Sequence, residues 1–168
     1  MRVAWLIILC AFIAGCGSGS NGTTAKEGNV MLPQPVPGAA RVQITTQGPT
    51  ADTVLYAAQF TLRFPSGVSL PATTGGELLP PEVLRPAPSG SFAGASYIPP
   101  AAGLGPAMQV NVSHPGGFTV GPLATVNCTV PPGVELSAGD ITIQGFSARD
   151  SSGAPIPGIA TRLTLQTQ

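Results

Sequence analysis

Between Val54 and Phe64 the sequence alternates for eleven residues, and few patterns leave a chain so little choice of fold. Val54, Tyr56, Ala58, Phe60, Leu62 and Phe64 fall on one side of an extended strand, and Gln59, Thr61 and Arg63 fall on the other. Successive side chains of a strand point to opposite faces, so a period of two buries one face and wets the other. The β-branched and aromatic content suits a pleated surface, and Pro65-Ser66-Gly67 supplies the turn that ends it. Such a strand needs neighbours and a second layer. Val42 and Ile44 alternate with Gln43 and Thr45, and shorter alternating runs follow at Met108-Val110-Val112, Ala124-Val126-Cys128-Val130 and Ile159-Thr161-Leu163-Leu165. From Ile141 to Ala148 the apolar phase slips, and Gly145 at the slip predicts a β-bulge. Beyond the N-terminal apolar run, no segment keeps a 3.6-residue period over three turns. About seven to nine short strands, with turn residues roughly every 8–12 positions, predict an all-β antiparallel sandwich.

Composition agrees once the strands are in view. Gly (22) and Pro (19) make up nearly a quarter of the 168 residues, a level that would suggest low complexity without the 43% hydrophobic content. Scattered among apolar runs, they read as turns between strands. The Pro71 to Pro106 stretch holds eight prolines and the least alternation, so it is expected to be mostly surface loop with one strand around Ala93 to Ile98. Charged residues are only 8% of the chain and the net charge is zero. Beyond Lys26, the cations after the N-terminal apolar run are Arg41, Arg63, Arg85, Arg149 and Arg162, too dispersed to neutralise a phosphate backbone. Nucleic acid is therefore excluded as a partner.

The N-terminus speaks to location. Met1-Arg2 precedes an apolar run from Val3 to Ala14, which at a helical rise of ~1.5 Å spans about 18 Å and falls short of a ~30 Å hydrocarbon core. It reads as the apolar region of a secretory signal. Ile13-Ala14-Gly15-Cys16 then closely resembles the bacterial lipobox, followed at once by Gly17-Ser18-Gly19-Ser20. The resemblance implies cleavage after residue 15, acylation of Cys16 and a membrane partner reached through lipid. Two or more acyl chains anchor stably, at about 0.8 kcal/mol per buried CH₂. Gly17 in place of Asp resembles outer-membrane sorting, so the expected address is the cell envelope, on the periplasmic or surface face of the outer membrane. Residues 16–40 form a Gly/Ser- and then Pro-rich linker, reaching roughly 25–30 Å as a flexible coil. The folded domain is expected at 41–168. Cys128 alone is left inside it, so no internal disulfide is expected, and its place in an alternating run predicts a buried, inert thiol.

Three segments of the domain carry a family resemblance. Phe60 to Leu70 is similar to the strand, proline turn and short strand of cohesin-type modules, and Gly121-Pro122-Leu123-Ala124-Thr125-Val126 resembles a later strand of that family. The closing Ile141–Ala148 strand, Asp150-Ser151-Ser152-Gly153-Ala154-Pro155-Ile156 and the last strand resemble its final hairpin. The resemblance implies a jelly-roll sandwich related to bacterial carbohydrate-binding modules, used for docking a protein or attaching to polysaccharide. The N-terminal pair of strands looks shortened by comparison, and no partner-contacting residue transfers to this sequence.

Groups capable of chemistry are few. His114, the only histidine, lies in Ser113-His114-Pro115-Gly116-Gly117, a predicted turn at a strand end, with no nucleophile elbow to serve. Zinc lacks its Cys/His pairs. Glu77, Glu82, Glu135, Asp140 and Asp150 leave paired-carboxylate glycoside hydrolysis a remote alternative. Asp150 is a weak calcium candidate, short of the several carboxylates such sites use, and no cofactor is implied. With Trp5 in the signal and Tyr56, Phe60 and Phe64 on the core face, Phe92, Tyr97 and Phe118 are the candidate exposed rings for ligand contact. The expected function is a non-catalytic, lipid-anchored binding or docking module at the envelope, for a protein partner or, alternatively, a polysaccharide.

Overall fold

The computed structural model of the chain describes residues 37–71 and 79–167. The signal segment, Cys16, the linker up to residue 36, and Glu77 lie outside the described residues. The described residues form eight strands: β1 (Gly38–Gln47), β2 (Val54–Arg63), β3 (Leu84–Pro86), β4 (Phe92–Ile98), β5 (Ala107–Thr119), β6 (Pro122–Val130), β7 (Thr142–Arg149) and β8 (Ala160–Thr167). They form two four-stranded sheets, in the orders β3-β6-β1-β8 and β4-β5-β2-β7, with every neighbouring pair antiparallel. The protein is an all-β sandwich.

The alternating runs occupy the middle of both sheets. β2 and β5 contribute Phe60, Leu62, Met108, Val110 and Val112, while β1 and β6 contribute Val42, Ile44, Leu123 and Val126, all at most 1% exposed. Burying one large apolar side chain is worth about 1.5–3 kcal/mol, so this shared layer is what holds the sheets together. β1 begins at Gly38, three residues before the alternation becomes visible at Arg41, and Ala40 is already buried. Thr46 is the one buried polar residue among those described; its hydroxyl donates to the Gly121 carbonyl and accepts from the Gly121 N–H, each at 3.1 Å.

Register explains where the simple alternation fails. At the start of β2, Leu55 is fully buried and Val54 is 43% exposed, the reverse of the expected phase, and Tyr56 is only half-buried. Leu55 pairs with Phe118 and Ala57 with Ser113, so His114 to Gly117 stand opposite Tyr56 alone. An excursion of this kind resets which side chains face inward. The His-Pro-Gly-Gly segment is therefore not a turn at the end of a strand, because β5 resumes and runs on to Thr119. Gly117 makes the return possible. Its φ is +75°, and a Cβ there would lie 2.6 Å from Val54 Cγ1 and 3.1 Å from the Tyr56 ring.

The expected bulge in β7 is present. Gln59 pairs with Ser147 and Thr61 with Gln144, leaving Gly145 (φ +61°) and Phe146 opposite Phe60. The slip turns Phe146 inward, 6.1 Å from Phe60 between ring centroids. In the proline-rich stretch, β4 lies where a strand was expected. β3 was not expected; it is three residues long and pairs Leu84 with Val126. Val83 beside it is fully buried, and its carbonyl accepts the Asn127 N–H at 2.9 Å.

Candidate functional site

The inward residues of β4-β5-β2-β7 make the core, and antiparallel pairing lines up the residues between them into rows on the outer face. Gly94 of β4, Asn111 of β5, Gln59 of β2 and Ser147 of β7 form one row. Ser96, Gln109, Thr61 and Gln144 form the next. Neighbouring strands stand about 4.8 Å apart and same-face residues along a strand about 6.8 Å apart, so these eight positions tile one small rectangle. Neither row contains a charge. Gln59, Ser96, Gln109, Asn111 and Gln144 are exposed, and among the described residues no hydrogen bond occupies the Gln59, Gln109 or Asn111 side-chain amides. Amides and hydroxyls both donate and accept, so the surface offers neutral hydrogen-bonding groups of both kinds. A cleft of about 340 Å³ opens over it, lined by Gln59, Gly94, Ser96, Gln109 and Asn111.

The flanking rows carry the cations. Arg63 sits in the row of Ile98 and Thr142, where its guanidinium donates to the Gly105 carbonyl at 3.2 Å; Arg149 sits in the row of Phe92, Ser113 and Ala57 and donates to the Gly153 carbonyl at 2.7 Å. The opposite sheet differs. Its outer face carries Arg41, Arg85 and Arg162 among threonines, all three exposed.

The three candidate rings do not share a surface. Phe92 is 70% exposed on the outer face, two positions from Gly94. Tyr97 lies five residues further on, an odd interval, and period two sends it to the inner side, where it is half-buried against the core. Phe118 is buried at 8% exposure, because the resumption of β5 after Gly117 turns it inward beside Leu55. Only Phe92 is placed to touch a ligand on this face.

His114, Asp140 and Asp150 are engaged in local structure. The Gly116 N–H donates to His114 Nδ1 at 3.0 Å, which makes Nδ1 an acceptor and leaves Nε2–H to donate to the Ser89 carbonyl at 3.1 Å. His114 thus ties the β5 excursion to the loop before β4, with both ring nitrogens occupied. Asp150 Oδ1 accepts from Ser152 Oγ (2.7 Å), Ser152 N (2.8 Å) and Ala154 N (2.9 Å). The Ser152 hydroxyl, followed by the loop N–H groups, holds its carboxyl below the usual range. Asp140 is likewise lowered, by the Ser137 hydroxyl and N–H. Both shifts run opposite to the upward shift that a general acid needs. Among the described residues, no three His, Cys, Asp or Glu side chains are grouped to hold a metal ion. Cys128 is buried, and burial pushes its thiol up to about 11, far from thiolate reactivity.

Comparison of the chain with protein-family models, with curated proteins and with solved structures finds no match in any of the three. Gln109 and Asn111 went unremarked in the sequence, although their signal is plain in retrospect: they are the residues between Met108, Val110 and Val112. What a single strand cannot show is that they stand beside Gln59 and Gly94.

Proposed function

We propose that this chain is a lipid-anchored, non-catalytic binding module of the cell envelope, and that its working surface is the outer face of the β4-β5-β2-β7 sheet. The anchor rests on the Ile13–Cys16 sequence, which lies outside the described residues. One observation carries the choice of surface: two adjacent rows of neutral amide and hydroxyl groups surround a cleft on an exposed sheet face. Side chains of this kind bind without titrating, whereas Asp140, Asp150 and His114 are held by their own loops and the Cys128 thiol is buried.

A docked partner, a protein as for a cohesin-like module or alternatively a polysaccharide, is supported by the exposed Phe92 and Ile98 at the two ends of β4, 70% and 36% exposed on the same face. Apolar anchors of that sort are what protein interfaces use. A photo-crosslinking side chain at Gln109 of the full-length chain, compared with one at Thr164 on the opposite sheet, tests the surface. Saturable adducts with envelope material are expected from Gln109 and not from Thr164; equal or absent labelling at both positions would remove the proposal. Mass spectrometry of native material should find the chain beginning at an acylated Cys16, and Cys16→Ser should leave the precursor uncleaved and unacylated; an unmodified Cys16 in native material would remove the anchor.

A further inference from the structure

Gly94 sits in the middle of an edge strand where nothing about the backbone requires glycine. Its φ is not in the left-handed region, and a Cβ built on it meets no atom within 4 Å. Glycine costs a strand stability, because it gains no packing and loses more conformational freedom on folding than any other residue. Gly117 shows the contrast, since there a Cβ would collide with Val54 and Tyr56. What Gly94 does is leave space. With no side chain between Phe92 and Ser96, the face is hollow over residue 94, and Gln59, Gln109 and Asn111 border the hollow.

We propose that this hollow is a binding subsite for one sugar unit of a neutral polysaccharide, a reading that rests on the surface assignment above and names its ligand class. The argument is complementarity. A neutral pyranose presents a ring of hydroxyls, each donor and acceptor, around a less polar face. Gln59, Gln109 and Asn111 offer carbonyl acceptors and N–H₂ donors at strand spacing, suited to adjacent hydroxyls. Phe92, about 6.8 Å along the same face, presents an exposed ring whose negative π-face attracts the C–H groups of a sugar. The two central rows hold no charge, so an anionic uronate would gain no ion pair there and a nucleic acid no phosphate contact. A protein partner would leave the hollow and its amides imperfectly paired, at a desolvation cost that a hydroxylated ligand avoids. The hollow includes Gly94 and Ser96 of β4, the edge strand of its sheet, so a longer chain can run past it with only one unit seated.

Affinity measurements with the full-length chain in detergent test this, using cellohexaose, laminarihexaose and mannohexaose as neutral probes and oligogalacturonate as the charged control. Saturable binding is expected to at least one neutral probe, with shifts of the Gln59, Gln109 and Asn111 side-chain amide resonances. Gly94→Leu fills the hollow without a steric clash and should weaken binding at least tenfold with a melting temperature no lower than the parent's; Gln109→Ala should weaken it several-fold. The inference is overturned if none of the neutral probes binds, if oligogalacturonate binds as well as they do, or if Gly94→Leu binds like the wild type. Loss of the Gln109 crosslinks to envelope protein in Gly94→Leu, with no glycan binding, would overturn the sugar subsite while leaving the surface assignment standing. Absence of both would overturn both.

Discussion

The two faces of β2 are made by consecutive residues and obey different rules. Ala58, Phe60 and Leu62 face inward and are at most 1% exposed, while Gln59, Thr61 and Arg63 face out. Inside, each side chain is fixed by what surrounds it, and volume decides what is tolerated. Outside, Gln59 is exposed and, among the described residues, its side chain takes part in no hydrogen bond, so its chemical type is free to serve a ligand. Stability and recognition thus occupy one strand yet separate by parity. From Ala58 onward, changes on the even positions should unfold the protein, and changes on the odd positions should leave it folded and alter what it binds; before the β5 excursion the parity is reversed, with Leu55 buried and Val54 exposed.

The sharpest way to break this division is at Phe60. Phe60→Ala empties a site packed against Phe146 and should cost about 3–5 kcal/mol in urea denaturation. A cost below about 1 kcal/mol would mean that the two sheets are not held by this layer. Next comes Gly117→Ala, which forces a Cβ into the left-handed region and against Val54 and Tyr56; a loss of about 1–3 kcal/mol is expected, read by thermal melting. On the outer face, Gln59→Ala should stay within about 0.5 kcal/mol of the parent in the same melts, and Gly94→Leu should be no less stable than the parent. If either destabilised the protein as Gly117→Ala does, the outer face would be structural and the division would fail.

The smallest expected effect is acid sensitivity. Asp150 is held below its ordinary range by the Ser152 hydroxyl and the loop N–H groups, so its folded value lies under its unfolded one. The contribution of this loop is therefore complete above the ordinary carboxylate range and is lost as pH falls through the folded value. Protection of the Ser152 and Ala154 amides against hydrogen exchange, relative to their intrinsic rates, should fall below about pH 4. Asp150→Asn should flatten that dependence, and an unaltered acid profile in the variant would place the effect elsewhere.

Much of this division was legible before any coordinates. The central strands β1, β2, β5 and β6 announce themselves because both sides of each are paired and one face is dry, which forces clean alternation at Val42-Ile44, Phe60-Leu62, Met108-Val110-Val112 and Val126-Cys128. The bulge at Gly145 was legible for the same reason, as a phase slip at a residue that tolerates positive φ. β3 was not, since three residues among prolines leave no period to read. The inversion at Leu55 was hidden because it arises from the β5 excursion, more than fifty residues away. Phe92 was visible as a ring, but the parity that parts it from Tyr97 depends on β4 being an unbroken strand. The hollow over Gly94 depends on register across three strands, which no single segment encodes.

The pairing of the chain ends has a practical corollary. Gly38 lies opposite Val130, and Ala40 opposite Thr167, so both described ends of the domain leave from one pole. β1 runs from that pole toward Gln47, and β2 returns from Val54, so the row of Phe92, Ser113, Ala57 and Arg149 lies toward the opposite pole. Coupling the protein to a sensor chip or bead through its C-terminus should therefore orient every copy alike, with the phenyl ring uppermost and the amide rows along one flank.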